Sequence, residues 1–291
     1  MDSKRNMPGN QTEVRDRSIG AIISETRNLS ADQVERILAY QLEKGVRFGE
    51  AAISLGFASA DDVLFALAQQ FHYPYAAEEQ RKLSPELVTF NQPFSLQSEA
   101  FRATRSQITM RVWSDSEPRR ALAVVSPEIG DGKTYFAANL AVVLAQLGGR
   151  TLLVDADMRS PRQHDVFNLN NNAGLSGILS GRAESSVIQQ VVGVPSLFVM
   201  PVGSTPPNPL ELVERPAFAL LIRELCSKFD HVVVDTPAAE LGADASVIAA
   251  RCGAAIVVAR KDASRVASLQ DMVAVMSGSP VRFAGVVMNE Y

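Results

Sequence analysis

Ala121-Leu122-Ala123-Val124-Val125-Ser126-Pro127-Glu128-Ile129-Gly130-Asp131-Gly132-Lys133-Thr134 is the stretch on which the fold turns. Five apolar residues stop at a loop carrying two glycines, a lysine and a threonine, and an apolar-periodic helix follows. That strand–loop–helix succession is a P-loop. Glycine at 130 and 132 lets main-chain N–H groups turn onto an anion, where a Cβ would crowd the phosphates. Lys133 is placed to reach the β- and γ-phosphates, and the Thr134 hydroxyl to hold Mg2+. A helix opening at Thr134 adds partial positive charge at its N-terminus. An ordinary glycine-rich turn would explain the glycines but not the Lys-Thr pair after a buried strand. The first glycine of G-x-x-x-x-G-K-[ST] is missing. Position 127 is proline, so the loop enters from a φ-restricted residue.

Toward the C-terminus, short apolar runs alternate with helical patterns. Strands are expected at 151–155, 197–202, 231–235, 254–259 and 283–288, with helices near 208–227 and 264–276. This alternation predicts an α/β fold, a doubly wound and mainly parallel sheet with its site at the strands' C-terminal ends. Asp155, Asp157 and Asp235 each fall at or just past such an end. An aspartate there can be only a cap or turn residue. It can also be the ribose acid of a dinucleotide fold, but that fold's Gly-x-Gly-x-x-Gly is absent and Lys133 would be left without a task. Three carboxylates converging on one phosphate site suit Mg2+, with Asp235 as the Walker B acid.

Toward the N-terminus, Glu99, Arg102 and Arg105 recur at three-residue spacing and share one side of a helix. Residues 79–97, with Pro85, Pro93 and scattered charges, read as a linker. Residues 15–78 hold an internal repeat. Gly20-Ala-Ile-Ile-Ser … Ser30-Ala-Asp-Gln33-Val … Leu38 … Gln41 is echoed 29 residues later by Gly49-Glu-Ala-Ala-Ile … Ser59-Ala-Asp-Asp62-Val … Leu67 … Gln70. Each copy reads as a short helix, a serine N-cap and a second helix, and Ser30 with Gln33 has capping-box spacing. Phe71-His-Tyr-Pro-Tyr75 reads as a packed aromatic turn, and residues 1–14 as a disordered tail.

The whole chain has 291 residues, 46% of them hydrophobic, enough for one large α/β domain and a small all-α satellite. A net charge of −4 argues against a nucleic-acid binder that works by phosphate neutralisation. Cys226 and Cys252 show no paired spacing and are expected reduced, in the cytoplasm. The three histidines, His72, His164 and His231, are far apart and suggest no metal site. The polar N-terminus shows no signal peptide, and no apolar run approaches the length of a membrane span.

On these residues the chain from about 95 to 291 resembles the bacterial tyrosine autokinases of polysaccharide export. With its two-repeat N-terminus, it is similar to the EpsG-type chain-length-determinant tyrosine kinases. The motifs that carry the resemblance are Ser126–Thr134, Leu152-Leu-Val-Asp155-Ala-Asp157-Met-Arg159, Val232-Val-Val-Asp235-Thr-Pro237, the loop from Gly203 to Glu211, and the Glu99/Arg102/Arg105 helix. The resemblance implies an Mg·ATP-dependent tyrosine autokinase that regulates exopolysaccharide chain length and export. The nucleotide would meet Gly130, Asp131, Gly132, Lys133, Thr134 and Tyr135, with Asn289 near the adenine. Metal contact falls to Thr134 and Asp157, with Asp235 acting through water, and Asp155 would help deprotonate the acceptor.

The resemblance further implies ring assembly through the Glu99/Arg102/Arg105 helix. The implied partner is a membrane polysaccharide co-polymerase, which would hold the protein at the membrane's inner face. Residues 15–78 resemble the N-terminal domain of type II secretion and type IV pilus ATPases, some of which bind cyclic di-GMP. The second copy matches as Arg47-Phe-Gly49 … Gly56 … Gln70; in the first, Arg17 lies one residue early and Arg27 replaces the inner glycine. A protein-docking module and a cyclic di-GMP site both stay open.

A tyrosine cluster at the C-terminus is missing: the tyrosines are Tyr40, Tyr73, Tyr75, Tyr135 and Tyr291. A regulatory ATP-binding protein without kinase activity, controlling assembly of the co-polymerase, therefore remains the alternative. A partition-type positioning ATPase is a third reading, but it would carry lysine where this chain has Glu128.

Overall fold

The computed structural model describes residues 18–70, 83–113, 118–182 and 187–290. The expected tail, the aromatic turn at 71–75 and Tyr291 lie outside them. The chain divides into two compact units, Met1–Glu78 and Glu79–Tyr291.

In the first unit the 29-residue repeat falls on two helix pairs. They are α1 (Ile19–Thr26) with α2 (Ala31–Lys44), and α3 (Phe48–Ser54) with α4 (Ala60–Gln70). The copies exchange partners, α1 packing on α4 and α2 on α3. Ile23 and Ala66 are buried together in one small core, and Ile37 and Ala52 in a second. Ser30 and Gln33 close a reciprocal capping box at the start of α2. At the equivalent place in the second copy, Asp62 accepts the Ser59 N–H at 2.6 Å and returns its own N–H to the Ser59 hydroxyl. Arg27, at the position expected for glycine, reaches this same Asp62 at 2.7 Å.

The second unit opens with α5 (Val88–Asn91) and α6 (Leu96–Val112), then β1 (Ala121–Val125), α7 (Lys133–Ala145) and β2 (Thr151–Asp155). Next come α8 (Gln163–Val166), α9 (Leu175–Leu179), β3 (Gln189–Gln190), β4 (Leu197–Met200), α10 (Pro209–Glu214) and α11 (Pro216–Lys228). The chain continues through β5 (His231–Asp235), α12 (Asp244–Cys252), β6 (Gly253–Arg260), α13 (Val266–Ser277) and β7 (Arg282–Asn289). The single helix expected near 208–227 is two, because Pro216 has no N–H to continue the first and instead starts the second.

The strands form one seven-stranded sheet in the order β3-β4-β2-β5-β1-β6-β7, parallel except for β3. The strands are apolar along most of their length because helices cover both faces. The large core on one face joins Phe218 and Ile222 of α11, Ile248 of α12 and Met272 of α13 to the strands. On the other face α7 is buried on every side from Phe136 to Ala145, between the sheet and the pair α5 and α6. A helix apolar all round is one with no solvent face.

The linker reading of 79–97 is corrected from Ser84 onward. Leu87 and Phe90 are buried, and Thr89 donates its N–H at 3.0 Å and its hydroxyl at 2.9 Å to the Asn139 side-chain oxygen. Asn139 in turn donates to the Glu86 carbonyl at 2.9 Å. A four-residue helix is too short for its periodicity to show. This segment is the outer wall of α7.

The arginines of α6 are engaged within the chain. Arg102 pairs with Glu99 at 2.7 Å and donates to the Pro93 carbonyl. Arg105 donates at 2.7 Å to the Val143 carbonyl, one of the orphan acceptors in the last turn of α7. Arg105→Ala is expected to lower stability by about 1 kcal/mol through loss of this charge-assisted cap. A denaturant titration would show the midpoint fall with unchanged slope.

Candidate active site

The order β2-β5-β1 brings three strand ends side by side, and each delivers part of one cleft. β1 runs into the phosphate loop. Gly130 and Gly132 take φ of 82° and 93°, a region in which L side chains are strained, so these are the positions where the loop needs glycine. Pro127, standing where a glycine was expected, is accommodated by main-chain bonds from the β5 side. The Ala239 N–H donates to the Ser126 carbonyl at 2.9 Å and the Glu240 N–H to the Pro127 carbonyl at 3.1 Å. The Glu240 carboxylate also accepts the Ile129 N–H at 2.5 Å.

Lys133, the first residue of α7, is 7% exposed, and its ammonium donates to the Ser126 hydroxyl at 3.0 Å. Asp131 turns inward, contrary to a direct nucleotide contact by its side chain. Its carboxylate accepts the Glu128 N–H at 2.9 Å and the Ser264 hydroxyl at 2.5 Å. The Asn289 amide donates to the Asp131 carbonyl at 3.3 Å, so the end of β7 also touches the loop. Arg265 pairs with Glu128 at 2.6 Å and holds its carboxyl below the usual range. These contacts fix the loop, whose residues Ile129, Gly130, Gly132, Lys133 and Thr134 line the cleft.

Asp155 and Asp235 lie directly across from one another in the β2–β5 register. Asp155 is fully buried and both its oxygens are engaged. Oδ1 accepts the Asp157 N–H at 3.1 Å, and Oδ2 accepts those of Arg162 and Gln163 at 3.2 and 3.0 Å. It therefore shapes the turn 157–163 and does not line the cleft. Asp157 does line it, with Oδ1 accepting the N–H groups of Arg159 and Ser160 at 3.1 and 2.9 Å. Gln163, which the sequence did not single out, ties the pieces together. Its amide donates to the Asp235 Oδ2 at 2.9 Å and to the Thr134 carbonyl at 3.2 Å.

Burial pushes Asp155 well up, and the neighbouring Asp235 adds to the effect. Burial likewise raises Asp235, to about 6, against the opposing pull of Lys133 and of the adjacent Thr134 hydroxyl. Asp235 Oδ1 is buried without a hydrogen-bond partner. Such an orphaned anionic oxygen beside a threonine hydroxyl is where a cation fits. The donors are hard oxygens, as Mg2+ prefers. Among the described residues no group of three or more His, Cys, Asp or Glu could hold a metal alone.

The raised carboxyl has a measurable consequence. An unfolded aspartate titrates near 4 and Asp235 folded near 6, so its contribution to stability is full below about pH 4 and is lost as pH rises through 6. In the absence of Mg2+ and nucleotide, wild type is expected to lose about 3 kcal/mol relative to Asp235→Asn over that window. Paired denaturant titrations at several pH values check it; parallel curves would contradict it.

The cleft itself has a volume of about 700 Å³, ample for a nucleotide. One wall is the phosphate loop, Thr134 and Tyr135; another is Asp157, Ser160 and Arg162; the third is Pro85, Glu86 and Val88. The third wall comes from the segment read as a linker.

The family model for the CobQ/CobB/MinD/ParA nucleotide binding domain matches residues 122–291. The CapB protein of Staphylococcus aureus, named as a putative tyrosine-protein kinase, is 33% identical over 215 residues, covering 74% of this chain and 92% of CapB. The tyrosine-protein kinase wzc of Salmonella typhimurium is 31% identical over 204 residues, 70% of this chain but only 28% of wzc. Among solved structures, the kinase domain of the Escherichia coli tyrosine kinase ETK superposes with a TM-score of 0.67 at 30% identity, covering 72% of this chain and 81% of that domain. The septum site-determining protein MinD of Pyrococcus horikoshii, solved with Mg-ADP, is 25% identical with a TM-score of 0.52 over 59% of this chain and 70% of MinD.

Proposed function

Since the chain belongs to the CobQ/CobB/MinD/ParA nucleotide-binding family and, within it, to the bacterial tyrosine-protein kinases, we propose that it is an Mg·ATP-dependent protein tyrosine autokinase acting in exopolysaccharide chain length and export. One observation carries the reading. A glycine-built phosphate loop, a buried lysine and Asp157, just past the end of β2, meet at a single cleft.

In this reading the N–H groups of Gly130 to Thr134 cradle the phosphates and Lys133 leaves Ser126 for the β/γ oxygens. Tyr135 walls the cleft beside them, and Asp131 and Asn289 keep the loop in shape. Thr134, Asp157 and, through water, Asp235 would hold Mg2+, which supplies charge neutralisation on the phosphate oxygens. A phenol is scarcely ionised near neutral pH, so the acceptor needs a base. Asp155 is assigned that task, burial and the neighbouring Asp235 raising its affinity for a proton. Reaching the acceptor requires the turn 157–163 to release one of its oxygens. The test is the fate of the γ-phosphate. Retention of label as phosphotyrosine supports a kinase, whereas complete release as inorganic phosphate supports the regulatory ATPase.

The proposed partner is a membrane polysaccharide co-polymerase, which would hold the protein at the membrane's inner face; no described helix is long and apolar enough to cross a bilayer. For residues 15–78 we keep two ligands, a docking protein or cyclic di-GMP, and no nucleic acid. Self-association through α6 is expected to depend on Glu99, whose side chain is 70% exposed, more than on the two arginines engaged within the chain. Glu99→Arg should lower the oligomer mass in light scattering with the fold intact. An unchanged mass would remove this helix from the interface.

A further inference from the structure

We propose that Arg162 is a second phosphate-contacting cation of the cleft, held off the nucleotide by Glu86. The inference rests on the nucleotide-site reading and deepens it. Among the described residues lining the cleft, the cations are Lys133 and Arg162, and the anions are Asp157 and Glu86. Lys133 is buried at the deep end. Arg162 stands at the mouth with its side chain 52% exposed, bound to the Glu86 carboxylate at 2.6 Å.

Both ends of this pair are anchored by main chain, so the side chains can move without disturbing the fold. The Arg162 N–H is fixed on Asp155 at 3.2 Å, within the turn that presents Asp157. The Glu86 carbonyl is fixed by Asn139 of α7 at 2.9 Å. The two side chains therefore form a bridge between the Asp157 wall and the Glu86 wall of the cleft. An ion pair this exposed is weak, because water solvates and screens both partners. A phosphate oxygen pair offers the guanidinium a better, bidentate partner at higher charge.

The chemistry gives the exchange a purpose. In transfer, the acceptor phenol oxygen forms a bond to the γ-phosphorus while the bond from that phosphorus to the β–γ bridging oxygen breaks. The phenol proton passes to a carboxylate, and ADP leaves with the electron pair on its terminal oxygen. Negative charge spreads over the three equatorial oxygens of the moving group. Three aspartates crowd this end of the sheet against one buried lysine, so a second cation is needed where that charge develops. Arg162 reaches the cleft from the wall that carries Asp157, opposite the phosphate loop's own lysine.

The full chain and its variants Arg162→Ala, Arg162→Lys and Glu86→Gln test this. The affinities for a non-hydrolysable Mg·ATP analogue and for Mg·ADP are measured by competition against a fluorescent nucleotide. Arg162→Ala should weaken the triphosphate about tenfold and ADP less than twofold, as expected for loss of one charge-assisted contact. Glu86→Gln, which frees the guanidinium, should tighten the triphosphate selectively, and Arg162→Lys should fall between wild type and alanine. Equal effects on both nucleotides, or none, in variants whose unfolding midpoints match wild type would overturn the proposal. Wild type binding neither nucleotide would overturn the site reading and this proposal together. Selective loss in Arg162→Ala without any phosphotyrosine in wild type would reject the kinase reading alone.

Discussion

Lys133→Met is expected to reduce nucleotide affinity by a hundredfold or more and to abolish turnover, with the fold retained. The ammonium is 7% exposed and rests on the Ser126 hydroxyl at 3.0 Å, a neutral partner that it can leave for phosphate. Two or more charge-assisted bonds to phosphate oxygens are lost with it, each about 1.5–3 kcal/mol. Methionine nearly matches the lysine stem in volume and removes a buried charge, so the start of α7 should hold. The loop's bonds to Asp131, Glu240, Arg265 and Asn289 and to the main chain of 239–240 do not involve the Lys133 side chain. Calorimetric titration with Mg·ATP checks the effect. Wild-type affinity in a folded variant would remove the lysine from the site.

Asp235→Asn is expected to pull stability and activity in opposite directions. The carboxyl is buried, lies across from Asp155, and is raised to about 6, so neutralising it relieves the unliganded fold above that pH. The same change removes the orphaned Oδ1 charge that fits a cation. Activity should fall on the order of a hundredfold, with a higher Mg2+ concentration at half-maximum. Asp157→Asn should show the same shift in metal requirement, since Asp157 lines the cleft. A metal titration of turnover separates the two effects. If neither variant alters it, both carboxylates are turn residues only.

The loop from Ser126 to Thr134 and the aspartates at 155, 157 and 235 were legible because each stands where a buried apolar run stops, a boundary that local sequence records. What the sequence hid was assembled by topology. Gln163 joins Asp235 to Thr134 from 72 and 29 residues away, and nothing near it marks a buried amide. Glu86 and Pro85 form a wall of the cleft, yet their proline and charges read as a linker. Their anchor, Asn139, lies 53 residues on, inside a helix whose burial on all sides local periodicity does not announce. The α6 arginines were readable as a row on one side of a helix. Their partners, the Pro93 and Val143 carbonyls, were not, because a carbonyl carries no mark in the sequence.

Phosphoryl transfer to tyrosine, within the cleft's own chain or its neighbour, is decided by mass spectrometry of the purified protein after incubation with Mg·ATP. Phosphotyrosine is expected to require both Mg2+ and ATP, to map to one or more of the five tyrosines, and to be absent in Lys133→Met. Wild-type protein that binds Mg·ATP and turns it over to free phosphate, with every tyrosine unmodified, would contradict it.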